Sequence, residues 1–260
     1  ACALRHADEA LRMTHTVIES IADLRSAPDH GAPLDTQALL GERVTVHEIT
    51  DEGWARGHLE QDGYSGWLSA NALGPVGPAP THRVIVPRTL GFPGPDIKLP
   101  PMTALPMGAR LAIVRQDEKF AVTSFGWHFP AAHLARIASR QTDFVAVAEG
   151  LLNAPYLWGG KTSLGIDCSG LVQIALEACG VKCPRDADMQ AAALGKPSEL
   201  NNLKRGDLIF WKGHVAIARD AQTIIHGNAH HMMVAVESAA EAIARIKATG
   251  SDVTSIKRLA

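Results

Sequence analysis

Asp167-Cys168-Ser169-Gly170 is the stretch of this 260-residue chain best suited to chemistry. Aspartate is a strong N-cap residue, so Asp167 places Cys168 at the first position of a helix. Unpaired backbone N–H groups and the positive end of the helix dipole favour a thiolate there. The same N–H groups could hold an oxyanion. The alternative for this residue is a small hydrophobe at the start of a helix.

A thiol nucleophile needs a base. His214 opens one β-rich run and His226 closes the next, with Arg219-Asp220-Ala221-Gln222 between them as the turn. A hairpin centred on Asp220 sets His214 directly across from His226, at the ~5 Å Cβ separation of cross-strand neighbours. One imidazole then orients the other, in the nucleophile–base–orienter arrangement. The alternative is two unrelated surface histidines among the twelve in the chain.

The elements that would carry these residues form an α+β pattern after residue 139. Residues 142–152 are helical in composition, and 167–179 have helical apolar spacing through Leu171, Val172, Ile174, Ala175 and Ala178, with Gly180 as the stop signal. Runs 207–211, 214–218 and 223–226 read as strands, giving a helix followed by an antiparallel sheet. Upstream, short β-rich runs (16–18, 44–49 and 53–59) are separated by turn residues such as Asp62-Gly63, which suits a small barrel. Residues 74–80, Gly-Pro-Val-Gly-Pro-Ala-Pro, are linker-like. A second β-rich block follows (83–86, 109–114, 119–123). It shares with the first a closing Gly-Trp, Gly66-Trp67 and Gly126-Trp127, as in a weak repeat of about sixty residues.

Composition bounds the rest. A hydrophobic content of 46% and a charged content of 20% suit two or three globular domains. A net charge of −2 without a basic patch speaks against nucleic acid as a partner, and no run of 18 apolar residues would span a membrane. Cys2, Cys168, Cys179 and Cys183 are too few for a disulfide scaffold. Cys179 and Cys183 have C-x3-C spacing, but a zinc site needs two further ligands at matching spacing, so they read as packed thiols at a helix end. No metal and no cofactor is expected. The first residues lack a basic and then apolar signal pattern, so the expected location is cytoplasmic; since the sequence does not start with Met, a trimmed signal would instead make it periplasmic or secreted. Oligomeric state is not legible.

Several linked motifs occur in order: Tyr156-Leu157-Trp158-Gly159-Gly160, Asp167-Cys168-Ser169-Gly170-Leu171-Val172-Gln173, Gly206-Asp207-Leu208-Ile209-Phe210-Trp211 and Gly213-His214-Val215-Ala216-Ile217. Together they resemble the NlpC/P60 family of papain-like cell-wall peptidases over about residues 140–260. The upstream blocks resemble bacterial SH3 domains, the first through Leu24-Arg25-Ser26-Ala27-Pro28 and Gly66-Trp67-Leu68, the second more distantly. The expected architecture is therefore multidomain: two small all-β SH3-like barrels (14–74 and 82–136, linker 75–81) followed by an α+β papain-like NlpC/P60 domain (140–260).

The resemblance implies roles. Cys168 matches the nucleophile, His214 the general base and His226 the residue that orients it. The Cys168 N–H and the Tyr156 hydroxyl match the oxyanion donors. Asp167 and Ser169 match residues lining the substrate subsites, whereas Gly159 and Gly160 serve backbone geometry. Members with this layout resemble γ-D-glutamyl-L-diamino-acid endopeptidases of dipeptidyl-peptidase VI type, acting on peptidoglycan stem peptides that begin with a free L-Ala. In that subgroup the first SH3 domain supplies acidic and aromatic groups to the free amine, for which Asp35, Tyr64 and Trp67 are the candidates. Two departures stand out. Asp188 occupies a position where relatives often carry Ser, and the second block has an unusual Gly91-Phe92-Pro93-Gly94-Pro95 loop. Rival readings are a papain-like amidase or acyltransferase on another amide, and a wall-binding adaptor with an inactive domain.

Overall fold

The computed structural model describes residues 13–259; Cys2 and the N-terminal signal question lie outside them. The chain divides into two compact units, one ending at Ser139 and one starting at Arg140.

The first unit contains two β-rich blocks. In the first, strands β1 (Met13–Val17), β2 (Ile21–Arg25), β3 (Leu34–Leu39), β4 (Arg43–Ile49), β5 (Trp54–Leu59), β6 (Ser65–Ser69) and β7 (Leu73–Gly74) form one antiparallel sheet in the order β3-β2-β6-β5-β4-β1-β7. Alternating side chains from these strands, including Leu24, Val44, Val46, Ala55, Leu59 and Leu68, make its core. The Asp62-Gly63 turn joins β5 to β6, and Gly63 adopts φ +76°, a conformation that glycine takes without a steric cost.

The second block splits into smaller sheets. Strands β8 (His82–Val84), β9 (Arg88–Gly91), β10 (Thr103–Pro106), β11 (Arg110–Leu111), β12 (Ile113–Gln116), β13 (Phe120–Thr123), β14 (His128–Pro130) and β15 (Leu134–Arg136) pair as β11-β8-β15, β12-β13-β14 and β10-β9 around Val84, Leu105, Leu111 and Phe129. The sequence run 109–114 breaks into two strands at Ala112 because the chain changes partners there: Arg110–Leu111 pairs with β8, whereas Ile113 onward pairs with β13. The sixty-residue rhythm has a structural counterpart. Short 3-10 turns follow β6 at Ala70–Ala72 and β14 at Ala131–His133, each leading into a leucine, Leu73 and Leu134.

The second unit is α+β. It contains α1 (Phe144–Glu149), a small hairpin of β16 (Lys161–Thr162) and β17 (Gly165–Ile166), α2 (Cys168–Ala178) and α3 (Ala187–Ala193). Strands β18 (Lys196–Pro197), β19 (Leu208–Trp211), β20 (His214–Ala218), β21 (Thr223–Asn228), β22 (Met233–Ser238) and β23 (Ser255–Arg258), with α4 (Ala239–Ala248), complete it. The sheet order is β18-β23-β19-β20-β21-β22. Ile209, Trp211, Ala216, Ala218 and Ile224 form a core with Ala239 and Ala242 of α4. The opposite face, through β20 and β21, packs against α2.

The β20–β21 register corrects the expected one. Ile217 pairs with Ile225 and Ala218 with Ile224, a shift of two residues from a hairpin centred on Asp220. The turn is centred on Ala221, and Arg219 N–H closes it on Thr223 O (2.8 Å). Asp220 caps this turn, accepting from the backbone N–H groups of Gln222 and Thr223 and from the Thr223 hydroxyl, each at 2.8 Å. His226 therefore stands diagonally from His214, on the same face of the sheet, instead of directly across from it.

Candidate active site

Asp167 is the N-cap of α2, and its Oδ1 accepts from Gly170 N–H at 2.6 Å. This puts Cys168 at the first helical position, 6% exposed. The carboxylate does more than cap the helix. Its Oδ2 accepts from Gly159 N–H (2.8 Å), and the fully buried Arg185 grips it with Nη1 on Oδ1 (3.0 Å) and Nη2 on Oδ2 (2.7 Å). Arg185 also donates to Ser169 Oγ (2.9 Å) and Gly160 O (3.2 Å). Burial would depress this guanidinium, but the charge and hydrogen bonds of Asp167, with the Asp186 charge, together outweigh burial and hold it cationic. Asp167 and Ser169 are thus both buried members of an internal network at the start of α2. The glycines are steric necessities: a Cβ on Gly160 would collide with Gly165 O, and one on Gly170 with Gly160 O.

The thiol of Cys168 lies at the start of β20, where the Val215 backbone N–H points at its sulfur together with the N–H of Ser169. Those donors favour a thiolate, but burial works the other way and, with the nearby Asp167 charge, pushes the thiol up to about 11. Burial likewise pushes His214 down to about 3, assisted by His226 and opposed by Glu237. Burial thus opposes the helix-end donors at Cys168 and disfavours the charged form of His214 as well.

His214 opens β20 half-buried, its ring tilted at 40° against Trp211 with 5.5 Å between centroids. Its Nε2 lies 2.8 Å from Nδ1 of the buried His226. His226 Nε2 lies 2.7 Å from Glu237 Oε1, and Arg245 binds both Glu237 oxygens, at 2.5 and 2.6 Å. Burial alone would raise the Glu237 carboxyl, but the hydrogen bonds from Arg245 and His226 hold it at about 2, so it is a carboxylate. Glu237 and Arg245 carried no sequence signal: they lie in a stretch without motifs, and only the fold joins them to the histidines.

Tyr156 is half-buried. Its N–H donates to Met232 O (2.9 Å), and it forms an isolated bridge with Ile166, the residue preceding Asp167. Burial, with the charges of Cys168 and Asp167, pushes its hydroxyl up to about 12, so it stays a donor. Asp188 is exposed near the start of α3, where its carboxylate accepts from Met189 N–H (2.8 Å). Asp35 on β3, Tyr64 in the β5–β6 turn and Trp67 on β6 are all half-buried in the first unit. One ring face of Trp67 carries the Arg56 guanidinium at 5.9 Å.

His226, His231 and Glu237 bring three metal-ligating atoms within 4.8 Å of one another. The set suits a hydrogen-bond network better than a cation. Arg245 occupies both carboxylate oxygens and adds a positive charge, while His231 Nδ1 is engaged with Asn228 Oδ1 at 3.0 Å. Cys183 contributes a thiol that donates to Pro184 O at 3.4 Å, and Cys179 ends α2.

Comparison with known proteins adds the following. The family model described as the bacterial dipeptidyl-peptidase SH3 domain matches residues 24–73, and the NlpC/P60 family model matches residues 153–250. The chain is 30% identical to the gamma-D-glutamyl-L-lysine dipeptidyl-peptidase of Bacillus subtilis, over 76% of this chain and 82% of that protein. It is 28% identical to dipeptidyl-peptidase 6 of Lysinibacillus sphaericus, over 83% of this chain and 88% of that protein. Among solved structures, an NlpC/P60 family protein from Bacillus cereus shares the fold with a TM-score of 0.80 at 22% identity, over 95% of this chain and 99% of that one.

Proposed function

Because the chain belongs to the NlpC/P60 family and is a cysteine peptidase that hydrolyses cell-wall peptides, we propose that it cuts the bond between γ-D-Glu and the diamino acid of peptidoglycan stem peptides with a free N-terminal L-Ala. The bond assignment is supported by the relatives whose names specify γ-D-glutamyl-L-lysine dipeptidyl-peptidase activity. The observation that carries the mechanism is a hydrogen-bonded chain, His214–His226–Glu237, whose His214 precedes Val215, the residue whose N–H meets the thiol at the start of α2.

In this reading Cys168 Sγ attacks the scissile carbonyl carbon while its proton passes to His214. The S–C bond forms as the carbonyl π pair moves to oxygen, and the oxyanion is met by the Cys168 N–H and the Tyr156 hydroxyl. Collapse of this intermediate breaks the C–N bond, with His214 returning the proton to the departing amine of the diamino acid. Water, deprotonated by His214, then releases L-Ala-D-Glu and restores the thiol. His226 orients His214 throughout.

Asp167 and Ser169 shape the subsite wall through the network they share with Arg185, and Asp188 offers an exposed carboxylate at the start of α3. The first barrel, 14–74, is read as the SH3-like domain that recognises the free amine through Asp35, Tyr64 and Trp67. The second block, 82–136 beyond the 75–81 linker, is read as a divergent SH3-like domain, supported by the repeated 3-10 turn before Leu73 and Leu134. Residues 140–260 form the peptidase domain. A requirement for a free amine fits soluble peptides in a cytoplasmic recycling role rather than intact wall.

The test is to incubate the chain with L-Ala-γ-D-Glu-L-Lys and with its N-acetylated form and to identify products by mass spectrometry. Release of L-Ala-D-Glu from the free-amine peptide alone supports both the bond and the amine requirement. Equal cleavage of both peptides removes the amine-recognition role from Asp35, Tyr64 and Trp67, and cleavage at another bond refutes the bond assignment.

A further inference from the structure

The histidine pair does not end at His226. Each step of the network moves one strand across the sheet and two residues along it. His214 and His226 are diagonal neighbours on β20 and β21. On β22, Ile224 pairs with Glu237 and His226 with Ala235, which makes His226 and Glu237 diagonal neighbours as well. Arg245 on α4 closes the line by binding both oxygens of Glu237. His226 and Glu237 side chains are 1% and 10% exposed, so water does not substitute for these partners.

Proton positions follow by exclusion. A carboxylate has no proton to donate, so His226 Nε2 must carry the hydrogen of the 2.7 Å bond to Glu237. In a neutral imidazole the other nitrogen, Nδ1, is then an acceptor. The 2.8 Å bond between His226 Nδ1 and His214 Nε2 accordingly needs its hydrogen on His214 Nε2. This leaves the lone pair of His214 on Nδ1, the nitrogen that remains for the thiol.

On the reading of Cys168 and His214 given above, we propose that Glu237 and Arg245 are positioning residues: the clamped carboxylate of Glu237 sets the tautomers of His226 and His214, so that His214 Nδ1 stands unprotonated to receive the Cys168 proton. The proposal requires Glu237 to remain a carboxylate and therefore assigns Arg245 a role beyond packing. The charged or titratable groups acting on this line are His231 and Arg245, with Glu241 beside Arg245 on α4.

Glu237→Gln is the test variant. Gln is nearly isosteric: with its oxygen at the Oε2 position it keeps the Arg245 Nη1 bond, and its NH2 takes the Oε1 position facing His226, at the loss of the Arg245 Nη2 bond. His226 Nε2 then accepts, Nδ1 donates, and His214 carries its hydrogen on Nδ1, the wrong nitrogen. The expected result is a fall in kcat on the order of 10²–10⁴-fold with little change in KM, the scale of a base held in the wrong tautomer. Two-bond ¹⁵N–¹H spectra, assigned with single His→Gln variants, are expected to show His214 protonated at Nε2 in the unmodified chain and at Nδ1 in Glu237→Gln. Arg245→Lys retains most of the rate, while Arg245→Met brings a new acid limb up toward the ordinary carboxylate range near pH 4.5. An unchanged His214 tautomer in Glu237→Gln overturns the proposal, whether kcat is retained or falls with the melting temperature as for a merely structural residue. The nitrogen spectra need no substrate, so they judge this inference even if the bond assignment fails.

Discussion

Removing Arg185 isolates the physics that holds the nucleophile. Its guanidinium donates to both oxygens of Asp167, to Ser169 Oγ and to Gly160 O, and the residue is 1% exposed. Arg185→Leu keeps much of the buried volume but strips Asp167 of its counter-charge. The carboxylate retains the N–H groups of Gly159 and Gly170, which soften the loss without neutralising it. Breaking one side of a buried ion pair costs about 3–5 kcal/mol, and in a unit of this size that is a melting shift of roughly 10–20 °C. Arg185→Lys recovers less than half, because an ammonium cannot span both oxygens and the Gly160 carbonyl. Thermal unfolding followed by circular dichroism, with iodoacetamide labelling of Cys168 in the folded protein, reads both consequences. A loss below about 1 kcal/mol with unchanged labelling would refute the view that this network positions the thiol.

Other expectations follow from the same site. Tyr156→Phe lowers kcat about 10–10²-fold with KM little changed, and the unmodified enzyme keeps the tyrosine contribution through pH 9 because the hydroxyl sits at about 12; kcat–pH profiles of both forms check this. Burial lowers both His214 and His226, so below pH 6.5 the unfolded chain takes up protons that the folded chain refuses, and stability falls as pH falls. His214 alone costs on the order of 1 kcal/mol between pH 7 and 5.5, and His226 adds to it in the same direction, well above the range where Glu237 contributes, whose stabilisation is lost only from pH 4.5 down toward 2. Urea unfolding at the two pH values reads the difference, and a flat profile contradicts it. Gly160→Ala forces its new methyl against the Gly165 carbonyl and costs about 1–3 kcal/mol in the same assay.

The parts of the site governed by local rules were legible from residues alone. Asp167 as N-cap, Cys168 at the first helical position and the runs that became β19, β20 and β21 depend on capping and periodicity, which act over a few residues. Three features were not legible, for separate reasons. The hairpin register slipped by two because Asp220 caps the turn through its side chain, a choice the string of residues leaves open. Glu237 and Arg245 reach His226 only through strand pairing and the docking of α4. The burial that opposes the helix-end donors at Cys168 is a tertiary property, set by what packs over the thiol and not by its neighbours in sequence. In the second block, the split of 109–114 reflects a change of partner strand, from β8 to β13, again a matter of pairing.

The central claim is that Cys168 carries the acyl group. Rapid acid quench of the enzyme with L-Ala-γ-D-Glu-L-Lys, followed by digestion and mass spectrometry, reads it directly. An L-Ala-D-Glu thioester, gained with loss of lysine, is expected on the peptide containing Cys168, with neither adduct nor product from Cys168→Ala. Product released at full rate by Cys168→Ala, or an adduct on any other residue, would contradict it.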